Sequence, residues 1–408
     1  MSTMVERKLR VVDLAMGWAG PLVGQMLAEM GFEVVKIEDT LRFDWWRGSL
    51  SLADRDLRPI ERSAVFNSAN RGKLGTTLDL SSPRGVELVK RLVADADVVV
   101  ENYSPGVMKR FGLSYDVLSA INPRLVMVSM PSFGSEGPEC EARGYGNTIE
   151  AMCGVTGLTG YHDTEQRYTL SNALGDPIGG LNGTFAVLVA LRERERTGRG
   201  QWVELAQVEA AVPLVADALM EYQLNNRIPH PIGNRHPSHA PHGVYQCAGE
   251  HGWVAFSAPG DDRWRAIARV LGIEGDARFA TESARKRNED ALDATITEAL
   301  RDKTADEIAA ALIAAGVAAA PVYSAPEVMS DPQIQARDFF VPIDRAIVGT
   351  HLYPGAVAKF SSTPLVTDRP APLLGEHNRV VFRDILGMRD AEIDALEAQG
   401  IIGNEPRE

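Results

Sequence analysis

No Cys-x-x-Cys pair occurs in this chain, and its three cysteines, Cys140, Cys153 and Cys247, are widely spaced. That excludes a zinc ribbon and a disulfide framework, and fits buried thiols in a reducing compartment. Long apolar runs of membrane-spanning length are missing too, and the start, MSTMVERKLR, lacks the apolar centre of a secretory signal. The sequence therefore reads as cytoplasmic. Basic residues are scarce: 42 Lys and Arg against 55 Asp and Glu leave a formal charge of −13. Such an acidic balance argues against nucleic acid or an anionic membrane as partner, and any polyanionic ligand needs a local basic pocket. The signatures G-x-S-x-G, H-E-x-x-H and G-x-x-x-x-G-K-[ST] are all absent, which sets aside the commonest hydrolases, zinc peptidases and nucleoside triphosphatases.

What is present is an ordinary globular composition, 45% hydrophobic and 24% charged, over 408 residues. That length exceeds one typical core, so two domains are expected. Leu9 to Leu14 reads as a strand. A glycine turn leads from it into a helix over Leu22 to Met30, and Phe32 to Ile37 is a second strand. Lys73 to Leu80 is extended, Ser82 to Ala94 helical, and Asp97 to Glu101 and Leu125 to Met130 are buried strands. Strands alternating with helices predict an α/β fold with a doubly wound parallel sheet. A long helix over Asp176 to Arg192, a strand at Arg199–Glu204 and a helix over Ala206–Leu224 complete a large domain spanning 1–224. A linker at 225–243, rich in Pro, His, Asn and Arg, leads to a smaller α+β domain at 244–329, with helices at Asp261–Leu271, Asp290–Leu300 and Ala305–Ala315. Residues 330–408 look extended and loop-rich, closing on a helix at Asp390–Glu397.

Five segments are candidates for chemistry. The turn Gly17-x-x-Gly20-x-x-x-Gly24 could receive a nucleotide at a helix N-terminus, but Pro21 and the spacing depart from G-x-G-x-x-G, and a plain tight turn fits as well. Asn70-Arg71-Gly72-Lys73, with Arg42, Arg47 and Arg110, offers phosphate partners, although single cations are commonly solvated surface residues. Glu38 ends a strand where a ribose-binding acid would sit. Glu101-Asn102-Tyr103-Ser104-Pro105-Gly106 follows a buried strand, at the edge where open parallel sheets bind ligands; it also has turn composition. The cluster His230, His236, His239 and His242 invites a metal reading, but Pro237 and Pro241 break any helix that would align it, and a loop near a ligand or a domain interface is the better reading.

The fifth segment, Leu174 to Gly183, contains Asp176. Asp followed by Pro is a favourable helix cap. Gly179, Gly180 and Gly183 then cost roughly 1 kcal/mol each relative to Ala, a cost helices carry for close approach of a backbone or a ligand. A carboxylate above such a bare face is a plausible nucleophile, kept ionised by the helix N-terminus.

In this order the pieces resemble the family III coenzyme A (CoA) transferases of the CaiB/BaiF superfamily. The matching runs are VVDLA..WAGPLVGQMLAEMGFEVVKIE at 11–38, NRGKLGTTLDL at 70–80, ADVVVENYSPGVMKRFGL at 96–113 and NPRLVMVSMPSFG at 122–134. They continue with GDPIGGLNGTFAVLVAL at 175–191, TGRGQWVELAQ at 197–207, GVAAAPVYS at 316–324 and PLLGEHN at 372–378. The resemblance implies a large Rossmann-like domain built from both chain ends, so that 330–408 returns to it, and an interlocked homodimer. It implies that Asp176 is the catalytic carboxylate, acting through acyl-aspartyl anhydride and aspartyl-CoA thioester intermediates. CoA contacts then match Trp18, Ala19, Lys73, Asn102, Tyr103, Arg110, Arg143 and Tyr145. CoA thioesters and carboxylic acids are the substrates, with no prosthetic group and no metal. Asp39 and Leu74 stand where the family often has cations, leaving Arg42 or Arg71 for the phosphates. The family's glycine-rich flap is not evident; the loop Gly233–Gly243 stands in its place. The racemases of the same superfamily need a His partner for the Asp; its place falls at Gly144, and no His precedes His162. A nicotinamide-dependent oxidoreductase would need a proper dinucleotide turn, and a non-catalytic subunit would not need Asp176.

Overall fold

The computed structural model describes residues 8–48, 59–170 and 172–407; the amino-terminal stretch read above for a leader lies largely outside the described residues. Two compact units emerge. The first takes the chain up to residue 155, then 169–219 and everything from 336 onward; the second takes 156–168 and 220–335. The stretch 225–243, expected as a linker, belongs to the second unit.

The first unit is built on β1 (Arg10–Asp13), α1 (Ala19–Glu29), β2 (Glu33–Glu38), β3 (Leu74–Thr77), α2 (Pro83–Ala94), β4 (Val98–Glu101) and β5 (Val126–Ser129). It continues with α3 (Gly146–Met152), α4 (Gly175–Thr197) and β6 (Gln201–Glu204). All strand pairs are parallel, and the order across the sheet is β3-β2-β1-β4-β5-β6. This is the doubly wound order, with its switch point between β1 and β4. The central strands are Val-rich and buried on both faces, as a parallel sheet requires. Val11, Val34, Val98, Val100, Val126 and Val128 face one core with α1 and α4. The alternate residues Val12, Val35, Val99 and Met127 face the other, against α2 and the carboxyl-terminal residues Val381, Phe382, Ile393 and Leu396. Successive side chains of a strand point to opposite faces, so one run of valines fills two cores.

The second unit holds an antiparallel sheet of β7 (His242–Gln246), β8 (Trp253–Ser257) and β9 (Ala318–Pro321), with α5 (Asp261–Leu271), α6 (Glu289–Leu300) and α7 (Ala305–Ala314). Tyr245, Phe256, Trp264, Leu292, Ile296 and Leu312 form its core. The segment from Ser330, expected to be extended and loop-rich, contains an antiparallel hairpin, β10 (Phe340–Arg345) and β11 (Gly349–Pro354), before the closing helix α8 (Asp390–Ala398). Its alternation is masked by Pro342 and by an outer face that is mostly exposed. The single helix expected over Ala206–Leu224 is broken into Gln207–Ala211, a 3-10 turn at Val212–Val215 and Ala216–Asn225. Pro213 removes a backbone donor there and forces the break.

A buried ion network ties distant parts of the first unit together. The Arg47 guanidinium grips Glu38 through two 2.8 Å bonds and Glu61 through a third of 2.8 Å, and lies over the Phe66 ring. Arg345 reaches the same Glu61 at 2.7 Å. Burial alone would raise the Glu38 carboxyl, but Arg47 overrides it and holds it at about 2, below the usual 4.5. The pair thus stabilises the fold above about pH 4.5, and that contribution fades as pH falls toward 2. Arg47→Met should cost about 3–5 kcal/mol at neutral pH, because it leaves Glu38 charged and buried without its partner. Urea unfolding at pH 7 and at pH 4 checks this: the deficit should narrow at the lower pH, where the orphaned Glu38 takes up a proton.

Candidate active site

The turn between β1 and α1 lies at the switch point, and buried polar side chains fix its backbone atom by atom. Asp13 accepts from Ala15 N–H at 2.9 Å, and Lys36 donates to Ala15 O at 2.7 Å. Asn102, just past β4, takes both Met16 N–H and Met16 O, at 2.9 and 2.8 Å. Asp44 accepts from Gly17 N–H at 2.9 Å and pairs with Lys36 at 2.9 Å. Lys73 donates to Asp13, Pro21 O and Asn70 within 2.7–2.8 Å. Gly17 has φ +77°, and a side chain there would strike the Trp45 ring. Helix α1 begins three residues before its expected start, since Pro21 is tolerated in a first turn.

This geometry corrects several expectations. Lys73 is wholly enclosed, with every donor engaged inside the protein; it holds the turn and does not face a ligand. Arg71 is buried against Glu29, at the far end of α1, and Arg47 is consumed by Glu38 and Glu61. None of the three is available to phosphate. Glu38 is likewise bound by Arg47 and is no free ribose acceptor. The histidines His236, His239 and His242 do approach one another, with ring centroids 3.9–5.5 Å apart. Their ring nitrogens, however, are spent on Ser238, Ser257 and Asn234 O, and no cluster among the described residues is placed to hold a metal.

The cations that remain open are Arg42, Arg110 and Arg143, all exposed and without a carboxylate partner among the described residues. Arg42, Tyr103 and Arg110 line a cavity of about 450 Å³ at the carboxyl ends of β2 and β4. A smaller cavity of about 140 Å³ continues past Asn102 and Tyr103 to Arg143, Gly144 and Tyr145. Tyr103 belongs to both. A third, of about 300 Å³, opens between Tyr103 and Trp202, with Glu101 in its wall.

Asp176 lines none of these cavities; it packs against Gly146, which directly follows Gly144 and Tyr145 in the wall of the second. It does not cap α4; Leu174 takes that position, and Asp176 sits in the first turn. Its carboxylate lies against Gly146, and the backbone N–H groups of Gly146 and Ala19 favour its charge. Ala19, expected beside CoA, is fully buried, and its amide favours the charge of Asp176. A Cβ at Gly146 would lie 2.4 Å from Asp176 Oδ2 and 2.6 Å from Ala173 Cβ. Burial raises the Asp176 carboxyl to about 6, against the two N–H groups that favour its charge and with some help from nearby Glu150. The helix N-terminus therefore does not keep it at an ordinary carboxylate pKa. Ahead of it, Ala173 takes a left-handed φ of +44°, a conformation worth roughly 1–2 kcal/mol of strain for a residue with a Cβ. Buried Glu150 on α3 fixes this turn by accepting from Leu170 N–H and Leu174 N–H. The glycines of α4 are not a bare ligand face. Gly180 packs on Leu22, Gly183 on Val23 and Met130, and Gly179 on Gln207, so they let α1 approach α4 and bring Ala19 to Asp176.

Sequence reasoning missed Gly146, Glu150, Asp13, Lys36 and Asp44. Gly146 has no side chain to advertise itself, and the others pair only across distant parts of the chain.

Comparison with known proteins gives a consistent picture. The profile of CoA-transferase family III matches residues 7–378. The succinyl-CoA–D-citramalate CoA-transferase of Chloroflexus aurantiacus is 34% identical over 97% of this chain and 97% of its own length. The succinate–glutarate CoA-transferase of Agrobacterium fabrum is 34% identical over 94% of this chain and 98% of its own. A solved CAIB/BAIF family protein from Brucella suis superposes with a TM-score of 0.84 at 35% identity, over 92% of this chain and 98% of that one.

Proposed function

The chain belongs to CoA-transferase family III and is an enzyme of that kind, and on that premise we propose that Asp176 carries the acyl and CoA groups covalently. The observation that supports this is a carboxylate packed against Gly146, directly after Arg143, Gly144 and Tyr145 of one cavity, which shares Tyr103 with the cavity of Arg42 and Arg110. The CoA nucleotide lies in the larger cavity with its phosphates on Arg42 and Arg110. The pantetheine passes Asn102, Tyr103 and Arg143 and delivers the thioester beside Trp18, Tyr145 and Asp176.

A carboxylate oxygen of Asp176 attacks the thioester carbonyl. The C–S bond breaks, and CoA leaves as a thiolate with a mixed anhydride on Asp176. The thiolate then attacks the aspartyl carbonyl, releasing the donor acid and leaving an aspartyl-CoA thioester. The acceptor carboxylate attacks that carbon, expelling CoA thiolate, which takes the acyl group from the new anhydride and regenerates Asp176. Each step trades one activated acyl bond for another, so no outside energy source is required. The N–H groups of Ala19 and Gly146 stabilise negative charge on the aspartyl carboxyl whenever it leaves or is attacked. A racemase would need a second base, and Gly144, where the resemblance places that His, has no side chain.

The assembly belongs to the same proposal. Leu181, Phe185, Leu188 and Val189 form an exposed apolar stripe on α4. A second chain interlocked with this one would cover it.

Transfer should require ionised Asp176. The kcat/KM for exchange of a labelled acid into its own CoA thioester should be level above pH 7. Below about pH 6, the pKa of the carboxyl, it should fall about tenfold per unit. A profile flat from pH 5 to 8 would remove Asp176 from the rate equation.

A further inference from the structure

Four aromatic rings cluster at the two segments that lead to Ala19 and Gly146. Trp18 and Trp46 lie with centroids 5.3 Å apart, Trp46 and Trp45 6.0 Å, and Trp45 and Tyr145 5.7 Å at an interplanar angle of 78°. Trp18 immediately precedes Ala19, and Tyr145 immediately precedes Gly146, which lies against the Asp176 carboxylate; the amides of both following residues favour its charge. The ring chain therefore links the residue before Ala19 to the residue before Gly146. It ends on solvent-facing surface: Trp45 is 53% and Tyr145 64% exposed. Large rings left this open beside a reactive carboxylate await an apolar partner.

Their placement is built in. The buried carboxylate of Asp44 accepts from both Gly17 N–H and Trp46 N–H, so one group fixes the turn and the first indole. Ser63 caps the 3-10 turn at Trp46 O, at 2.5 Å. Arg47, next in sequence, is locked by Glu38 and Glu61. Rings on a rigid support present fixed faces and edges, the condition for stacking a flat group.

Charge points the same way. The charged side chain that bears on Asp176 is Glu150, an acid. Open Arg143 lines the cavity with Asn102 and Tyr103, along the pantetheine route. An acyl chain ending in a second carboxylate meets rings and a negative charge here; an uncharged aryl chain meets complementary surface.

We infer that the acyl group this enzyme transfers is aromatic, an aryl or arylalkyl carboxylate, and that Trp45 is a specificity-determining residue stacked against it. This rests on the covalent transfer proposed above and adds the substrate class.

The test measures exchange of a ¹³C-labelled acid into its own thioester, so the natural acceptor need not be known. Full-length enzyme is given phenylacetyl-CoA, cinnamoyl-CoA or succinyl-CoA with the matching labelled acid. Both aryl thioesters should exceed succinyl-CoA in kcat/KM by about tenfold or more, a ratio consistent with ring pairing added to apolar burial. Trp45→Ala should lower the aryl values about tenfold, leave succinyl-CoA little changed, and leave the inhibition constant of free CoA unaltered. Trp45→Leu, which keeps apolar bulk without a ring, should remain impaired with the aryl substrates. Faster exchange with succinyl-CoA than with either aryl thioester would overturn the inference, as would full aryl activity in Trp45→Leu or an equal loss with all three substrates in Trp45→Ala. Exchange with none of the three would instead strike at the transfer reading itself.

Discussion

Asp176→Ala should lose thioester exchange by a factor on the order of 10⁴ or more, while the protein remains folded. The loss is expected to be that large because every step of the proposed cycle forms or breaks a bond to this carboxylate. No neighbour substitutes: Glu150 is buried and committed to Leu170 N–H and Leu174 N–H. Stability should move the other way. The folded state holds the Asp176 proton up to about pH 6, against 3.8 for an ordinary aspartate. Between those values stability falls as pH rises, and above pH 6 the buried charge remains a burden. The variant should therefore melt no lower than wild type at pH 8, and its advantage should disappear in acid. Exchange kinetics and thermal melts at pH 8 and pH 5 check both halves. An inactive protein that also melted much earlier at pH 8 would mean that Asp176 is structural.

Gly146→Ala should cost about 100-fold in kcat from one methyl group. The added Cβ would meet Asp176 Oδ2 at 2.4 Å, Ala173 Cβ at 2.6 Å and Ala173 O at 2.8 Å. The carboxylate could swing away, but the Ala173 backbone is held in its left-handed turn by Glu150. Either α3 or the start of α4 must then shift, and the Gly146 N–H must leave the carboxylate. Losing that donor also removes a contact favouring the charged form, so the acid limb should move above pH 6. CoA affinity should change little, because Arg42 and Arg110, which take its phosphates, lie on other segments. Steady-state kinetics across pH, with CoA as product inhibitor, separate these effects. Wild-type kcat with an unmoved acid limb would show that Gly146 does not shape the nucleophile.

Much of the sheet was legible because its signal is local. Val11-Val12, Val34-Val35 and Val98-Val99-Val100 are short apolar runs between turn formers, and such runs in alternation with helices leave few arrangements. The Asp176 segment was legible for a related reason, since three glycines in two turns of helix must be explained. The explanation was only partly right: Gly180 and Gly183 admit Leu22 and Val23 of α1, and Gly179 packs on Gln207. The basic residues were the least legible. Arg42, Arg47, Arg71, Lys73 and Arg110 look alike in sequence, and only folding separates two open guanidiniums from three buried pairs. The partners of those three, Glu38 and Glu61, Glu29, and Asp13, lie 9 to 60 residues away. Local pattern carries no information at that range. The hairpin at Phe340–Pro354 was missed because a strand pair with one largely exposed face shows little hydrophobic contrast.

The central claim, an activated acyl bond on Asp176, is tested most directly by trapping. Enzyme is incubated with hydroxylamine, with and without an acyl-CoA that it exchanges, then digested and analysed by mass spectrometry. With acyl-CoA, the peptide containing Asp176 should gain the mass of a hydroxamate as activity is lost; without it, the peptide should be unmodified and the enzyme active. Steady turnover in which neither a hydroxamate nor a thioester ever appears on that peptide would contradict the account.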